Sequence, residues 1–231
     1  MKPVIDVKVA SDVVCPWCYI GKRNLEKAVD HLSDRYEVRV QYLPFELAPD
    51  MPEEGMSFRR HITEKFGDFD TFIQRGAMLN EKGREAGIDF KIANIDRSPN
   101  TFSIHRIIQF AHQYGLQTQV KEAFMKAYFV DLVDLTLIQN VIQVAVSAGL
   151  QRPELEYLLN SEDGVKEVLE LEDNIRRIGV TGVPFFIIDN RYGISGAVPP
   201  AQLEEAMIQA AAENSLQQDI QGDSCSTEGC E

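Results

Sequence analysis

Two periods of apolar residues alternate along the first fifty positions of the chain. Val4, Ile5, Val7 and Val9 form a β-branched run closed by Ser11 and Asp12, which predicts a buried strand. From Pro16 to Leu32 the spacing changes. Leu25, Ala28, Val29 and Leu32 recur three and four residues apart, so a helix is expected, with Gly21 as a place where it bends. Glu37–Leu43 alternates polar and apolar and reads as a second strand, ended by Pro44 and Pro49.

Helical spacing then dominates. Segments are expected at Ser57–Phe66, Asp70–Ala86, Thr101–Tyr114, Thr118–Phe129, Leu135–Ala148, Pro153–Leu159 and Glu162–Ile178, most joins being marked by Gly, Asn or Pro. A short strand near Ile88–Ile92 is the one β signal in this block. Strand character returns at Val183–Ile188. Asp189-Asn190 gives a tight turn, and Arg191–Ser195 gives the partner strand. A last helix, Pro199–Glu213, carries Leu203, Ala206, Met207 and Ala210 on one face, and the polar, acidic remainder reads as a tail. The order β-α-β, helical block, β-β-α predicts an α/β protein. Residues 1–50 and 179–213 would close into one unit, 51–178 would form a helical insertion, and 214–231 a flexible tail.

The length of 231 residues and 44% hydrophobic content suffice for a sizeable core. A net charge of −13 argues against nucleic acid and anionic membrane as partners, since both select clustered Lys and Arg. No apolar run approaches the ~20 residues of a membrane span. Asp6 and Lys8 interrupt the N-terminal segment, so no secretory signal is read and a cytoplasmic location is expected. Four cysteines are too few for a disulfide scaffold of this size.

The candidate chemistry begins at Cys15-Pro16-Trp17-Cys18. A cysteine at the start of a helix faces unpaired N–H groups and the positive end of the helix dipole, which favour the thiolate that attacks disulfides. Cys18, three positions on, lies on the same side of the helix and can resolve a mixed disulfide. Pro16 suits a first helical position. Incidental thiols and half of a zinc site are the alternatives. Zinc would need two more ligands, and the only other cysteines are Cys225 and Cys230. Thr181-Gly182-Val183-Pro184 is the second motif. Alone, the Pro reads as a strand opener or edge residue. Beside a redox pair, a cis proline would leave the Val183 backbone free to pair with a substrate chain.

A strand, an SDxxCPWC helix, a helical insertion and a GVP-led hairpin and helix, in this order, resemble the DsbA family of the thioredoxin superfamily, and within it the cytosolic FrnE-like branch. The likeness spans about residues 4 to 213 and includes Pro99-Asn100-Thr101, His105-Arg106 and Ala127-Tyr128-Phe129. The resemblance implies a thioredoxin-like fold with a large all-helical insertion and a dithiol–disulfide oxidoreductase or isomerase. Cys15 would be the attacking thiol, Cys18 the resolving thiol and Pro184 the cis proline. Substrates would be protein or small-molecule disulfides, with glutathione or another thiol reductant as co-substrate and neither cofactor nor metal. Trp17 stands where periplasmic relatives often hold a His. The Cys15 pKa is therefore expected below the ~8.5 of a free thiol but above the bottom of the ~3.5–7.5 range of activated cysteines.

Cys225 and Cys230 form a CX4C pair in the tail. They are either exposed thiols without a role or a second redox pair that exchanges electrons with Cys15–Cys18; members of the FrnE-like branch carry such a pair. Asp223 and Glu228 should slow their attack, suiting them to relay rather than initiate. His105 and His112 share a helix face and read as structural, His31 and His61 as surface residues. Phe124, Tyr128 and Phe129 read as core, and Trp17 as an exposed substrate contact. Rival functions are a glutathione-dependent transferase or isomerase of the kappa or 2-hydroxychromene-2-carboxylate type, and a thiol-dependent client-binding holdase. The oligomeric state is open.

Overall fold

A four-stranded mixed sheet organises the protein. In the computed structural model, which describes residues 2–223, strands β1 (Val4–Ser11), β2 (Glu37–Pro44), β5 (Phe185–Ile188) and β6 (Tyr192–Ser195) lie in the order β2-β1-β5-β6. β1 and β2 are parallel and joined by helix α1 (Pro16–Leu32); β5 runs antiparallel to β1 and to β6. The alternation of β1 buries Ile5, Val7 and Val9 on one face, against Leu25 and Ala28 of α1 and Leu203 and Met207 of α10 (Pro200–Asp223). Ala10, Leu43 and Phe45 turn to the other face, where Ile175 of α9 (Val165–Arg177) covers them. The β5–β6 turn is Asp189-Asn190, with φ of 49° and 54°, the left-handed pair that a two-residue hairpin of this twist requires.

Between β2 and β5 lies the helical block: α2 (Phe58–Phe66), α3 (Phe69–Arg75), α4 (Ala77–Glu85), α5 (Phe102–His112), α6 (Gln117–Phe129), α7 (Ile138–Ser147), α8 (Arg152–Leu159) and α9. It packs onto the sheet through α5, α6 and α9 against β2. One apolar core runs from Ile5 and Leu25 to Ile107, Phe124 and Leu155, so insertion and sheet are stabilised together.

Several expectations are corrected. The helix expected over Asp70–Ala86 is two helices, broken at Gly76. The Ile88–Ile92 segment is not a strand; a 3-10 turn follows at Ile92–Asn94, and the small β pairing of the block is instead β3 (Met56–Ser57) with β4 (Arg97–Ser98). α1 is unbroken through Gly21. A Cβ there would meet Pro184 Cγ at 3.0 Å and Phe186 Cζ at 3.2 Å, so this glycine serves close approach. The tail expected from residue 214 is helix as far as Asp223, because α10 continues to there, and Asn214 donates to the Asp189 carboxylate at 2.9 Å. Cys225 and Cys230 lie outside the described residues.

Candidate active site

Cys15 is the N-cap of α1, and Pro16 takes the first helical position. The backbone N–H of Cys18 donates to Cys15 Sγ at 3.4 Å. Antiparallel pairing of Ala10 with Phe185 brings the residues just before β5 level with the end of β1. The Val183–Pro184 peptide there is cis, and the Cys15 thiol donates to the Val183 carbonyl at 3.7 Å. The three elements named in the sequence motifs thus meet at one point: Cys15, Cys18 and the Val183–Pro184 segment.

Cys15 is 5% exposed and Cys18 2%. Cys15 opens onto a cleft of about 460 Å³ between the sheet and the helical block. Cys15, Trp17 and Val183 form one wall; Met51, Ile62 and Leu79 form the other. Trp17 is half-buried rather than exposed, packed against the core at the cleft edge. Tyr128 and Phe129, expected as core, are buried and also line the cleft. His61, read from sequence as a surface residue, is half-buried in the wall and bonded to Ser98 Oγ at 2.9 Å; burial and Lys65 lower its pKa.

Beneath the dithiol lies a polar cluster that sequence reasoning missed. Asp12 is fully buried. It accepts from the Leu47 N–H at 2.9 Å and stands 3.4 Å from His105 Nε2. Burial pushes its carboxyl up, but His105, the Leu47 N–H and the Lys121 ammonium together hold it below its ordinary value. Lys121 of α6 donates to the Ser11 carbonyl at 3.1 Å. His105 is therefore buried against Asp12, whereas His112, on the same helix, is exposed. Glu46 adds a second carboxylate. Its N–H donates to Glu172 Oε1 at 2.6 Å, and burial with Glu172 and Asp12 nearby pushes its pKa up to about 8.

The two buried thiols act on each other. Their shared hydrogen bond, burial and the Cys18 charge hold Cys15 well above its ordinary range, with the Asp12 carboxylate adding to the effect. Burial also pushes Cys18 up, but the hydrogen bond from Cys15, the Lys121 ammonium and Ser11 bring it below its ordinary value. Two adjacent buried sulfurs cannot both ionise, and a buried cation that no local motif announces lies on the Cys18 side. Among the described residues no group of three or more His, Cys, Asp or Glu is placed to hold a metal ion. No helix among them is long and apolar enough to cross a membrane.

A sheet of this order with a CxxC at the head of α1 and a cis proline against it defines a thioredoxin-like fold. The chain belongs to the DSBA-like thioredoxin domain family, whose model matches residues 6–208. It is 31% identical to a probable DsbA oxidoreductase, SCO1869, from Streptomyces coelicolor, with a TM-score of 0.84 over 90% of this chain and 91% of that one. It is 25% identical over 206 residues to the uncharacterized protein YwbO of Bacillus subtilis, covering 88% of this chain and 96% of the relative. A 2-hydroxychromene-2-carboxylate isomerase shares the fold, at 16% identity and a TM-score of 0.66 over 91% of this chain and 98% of that one. Members of this family are oxidoreductases and isomerases.

Proposed function

We propose that the protein is a dithiol–disulfide oxidoreductase or isomerase of the FrnE-like kind, working in the cytoplasm. The observation that carries this reading is the 3.7 Å contact of Cys15 Sγ with the carbonyl of Val183, the residue before the cis proline, at the mouth of the cleft. Of the two sulfurs, Cys15 lines the cleft. The Cys15 thiolate, its proton released to water, attacks a substrate disulfide, a new S–S bond forms, and one substrate sulfur leaves as a thiolate that water protonates. Cys18 then loses its proton to water and attacks Cys15, forming the internal disulfide and releasing the second substrate sulfur as a thiolate that water protonates. Glutathione or another cellular thiol reduces the pair again. Val183 swaps its contact with Cys15 for the backbone of a protein substrate, and Trp17 packs beside it. Cys225 and Cys230 act as a relay pair.

Insulin reduction with a thiol reductant tests the reading. Cys15→Ser should abolish turnover, and Cys18→Ser should trap a mixed disulfide at Cys15. Full activity in Cys15→Ser would overturn it. A second reading is favoured by the apolar character of the cleft, which suits a small substrate: glutathione-dependent isomerisation. It predicts product from a small-molecule isomerase or conjugation assay with glutathione and activity that survives Cys18→Ser. A holdase would likewise be indifferent to Cys18→Ser.

A further inference from the structure

The cleft over Cys15 carries a charge that its apolar lining does not account for. Helix α2 contributes Phe58, His61, Ile62, Lys65 and Phe66 to its wall. These lie three and four residues apart in turn, so a single face of the helix looks into the cleft. A face that served packing alone would be apolar throughout. This one holds two basic side chains and leaves Phe66 56% exposed. Phe66 stacks on Phe72 of α3, with ring centroids 5.3 Å apart, and carries the apolar wall outward.

Lys65 is exposed at the mouth of the cleft. Its ammonium donates to the carbonyl of Leu47, another lining residue, at 3.0 Å, which fixes the charge beside the opening. An ammonium has three donors. No carboxylate among the described residues lies within ion-pair distance of this one, and the neighbouring Glu64 is taken by Arg60. His61, one turn back, bonds to Ser98 Oγ at 2.9 Å. Burial and Lys65 lower its pKa, so its ring is a hydrogen-bonding group rather than a cation. Asp12, the one acid among the lining residues, is fully buried and already engaged by Leu47, Thr101 and His105. The opening is thus positive on a chain whose net charge is −13.

Access and size narrow the occupant. Cys15 is 5% exposed and is reached through this cleft, whose 460 Å³ falls among the roughly 300–1,000 Å³ of small-molecule sites. Trp17, Phe72 and Phe129 offer ring surfaces to an apolar body. We propose that the cleft takes a small disulfide whose aromatic body carries a carboxylate, the body lying among Trp17, Phe72 and Phe129 and the carboxylate meeting Lys65 and His61. The inference rests on the dithiol function proposed above and names its substrate class. Lys65 sets specificity and takes no part in the electron transfer. Cys15 and Cys18 supply the two electrons that break the substrate S–S bond, both halves leave as thiolates that water protonates, and a cellular thiol reduces the pair again.

Three disulfides separate the charge from the apolar body: dithiodibenzoate, with a carboxylate on each ring; its neutral diamide; and dithiodiglycolate, which keeps the carboxylates and lacks the rings. With a thiol reductant, wild type should reduce dithiodibenzoate with a kcat/KM about fivefold above that for the diamide, the preference that one partly exposed ion pair supplies. Dithiodiglycolate should be the poorest of the three. Lys65→Met should remove the preference for the acid and leave the diamide unchanged. Lys65→Arg should keep it, and high salt should shrink it. Equal kcat/KM for acid and diamide in wild type, an equal loss on both in Lys65→Met, or dithiodiglycolate matching dithiodibenzoate would overturn the proposal. Binding of the same three compounds to Cys15→Ser, followed by Trp17 fluorescence, should show the same order without turnover. A protein that reduced no disulfide would sink the dithiol function, and the order of binding would still decide the subsite.

Discussion

A methyl group on Gly21 would stand 3.0 Å from Cγ of Pro184, so the helix that begins at the dithiol and the loop carrying the cis proline touch with no room between them. In an exposed helix, Gly→Ala gains about 1 kcal/mol. Here the crowding against Pro184 and Phe186 opposes that gain with an overpacking cost of about 1–3 kcal/mol. Gly21→Ala should therefore lower stability by about 1 kcal/mol in a denaturant titration, the net of those two terms. It should also slow turnover by moving Val183 away from Cys15. A stabilised, fully active variant would refute the contact.

Glu46 should make the protein less stable as the medium turns alkaline. Its folded pKa of about 8 exceeds its ordinary value of 4.5, so the folded form binds more protons between those limits. Stability contributed by the neutral carboxyl is complete below pH 4.5, declines as the pH rises to 8, and stays lost above it. Glu46→Gln should raise stability at pH 8.5 by about 1 kcal/mol or more, or roughly 2–4 °C in Tm for a chain of this size, and change little at pH 4. Thermal melts at the two pH values check the sign.

Trp17 is the single tryptophan of the chain and lies between the two cysteines. Its fluorescence should fall when the pair is oxidised, because a neighbouring disulfide quenches indole. Cys18→Ser should show no redox-dependent change. A signal insensitive to oxidation in wild type would mean that the pair does not close.

Ala48 lines the cleft and is only half-buried, so a larger side chain there narrows the entrance without disturbing the core. Ala48→Phe should raise KM for a peptide disulfide roughly tenfold, equivalent to about 1.4 kcal/mol, with the thiol titration unchanged. Steady-state kinetics on a large and a small disulfide would separate exclusion from damage to the dithiol.

Where the chain is periodic, its pattern was a good guide. Pro16–Leu32 has the same limits in sequence and structure because a proline opens it and apolar residues three and four apart carry it to Leu32. β3 and β4 escaped notice because two residues cannot display a period. Gly76 breaks a helix that the surrounding apolar pattern would have carried through. At the site, Cys15, Cys18 and Pro184 were legible from their motifs, and Pro184 is cis as expected. The support beneath them was not. Asp12, His105 and Lys121 are spread over about a hundred positions, and only the packing of α5 and α6 on β2 brings them together. Lys121 in particular is buried midway along α6, and nothing in the local pattern around it announces that burial.

Helix α10 runs away from the dithiol. Asn214 holds Asp189, and Asp189 exchanges hydrogen bonds with Asp6 near the start of β1, whereas Cys15 follows that strand's far end. Five strand residues, about 17 Å, separate the two levels. Asn214 of α10 thus stands at the pole of the sheet opposite Cys15, so substitutions on that stretch of the helix should leave the cleft untouched.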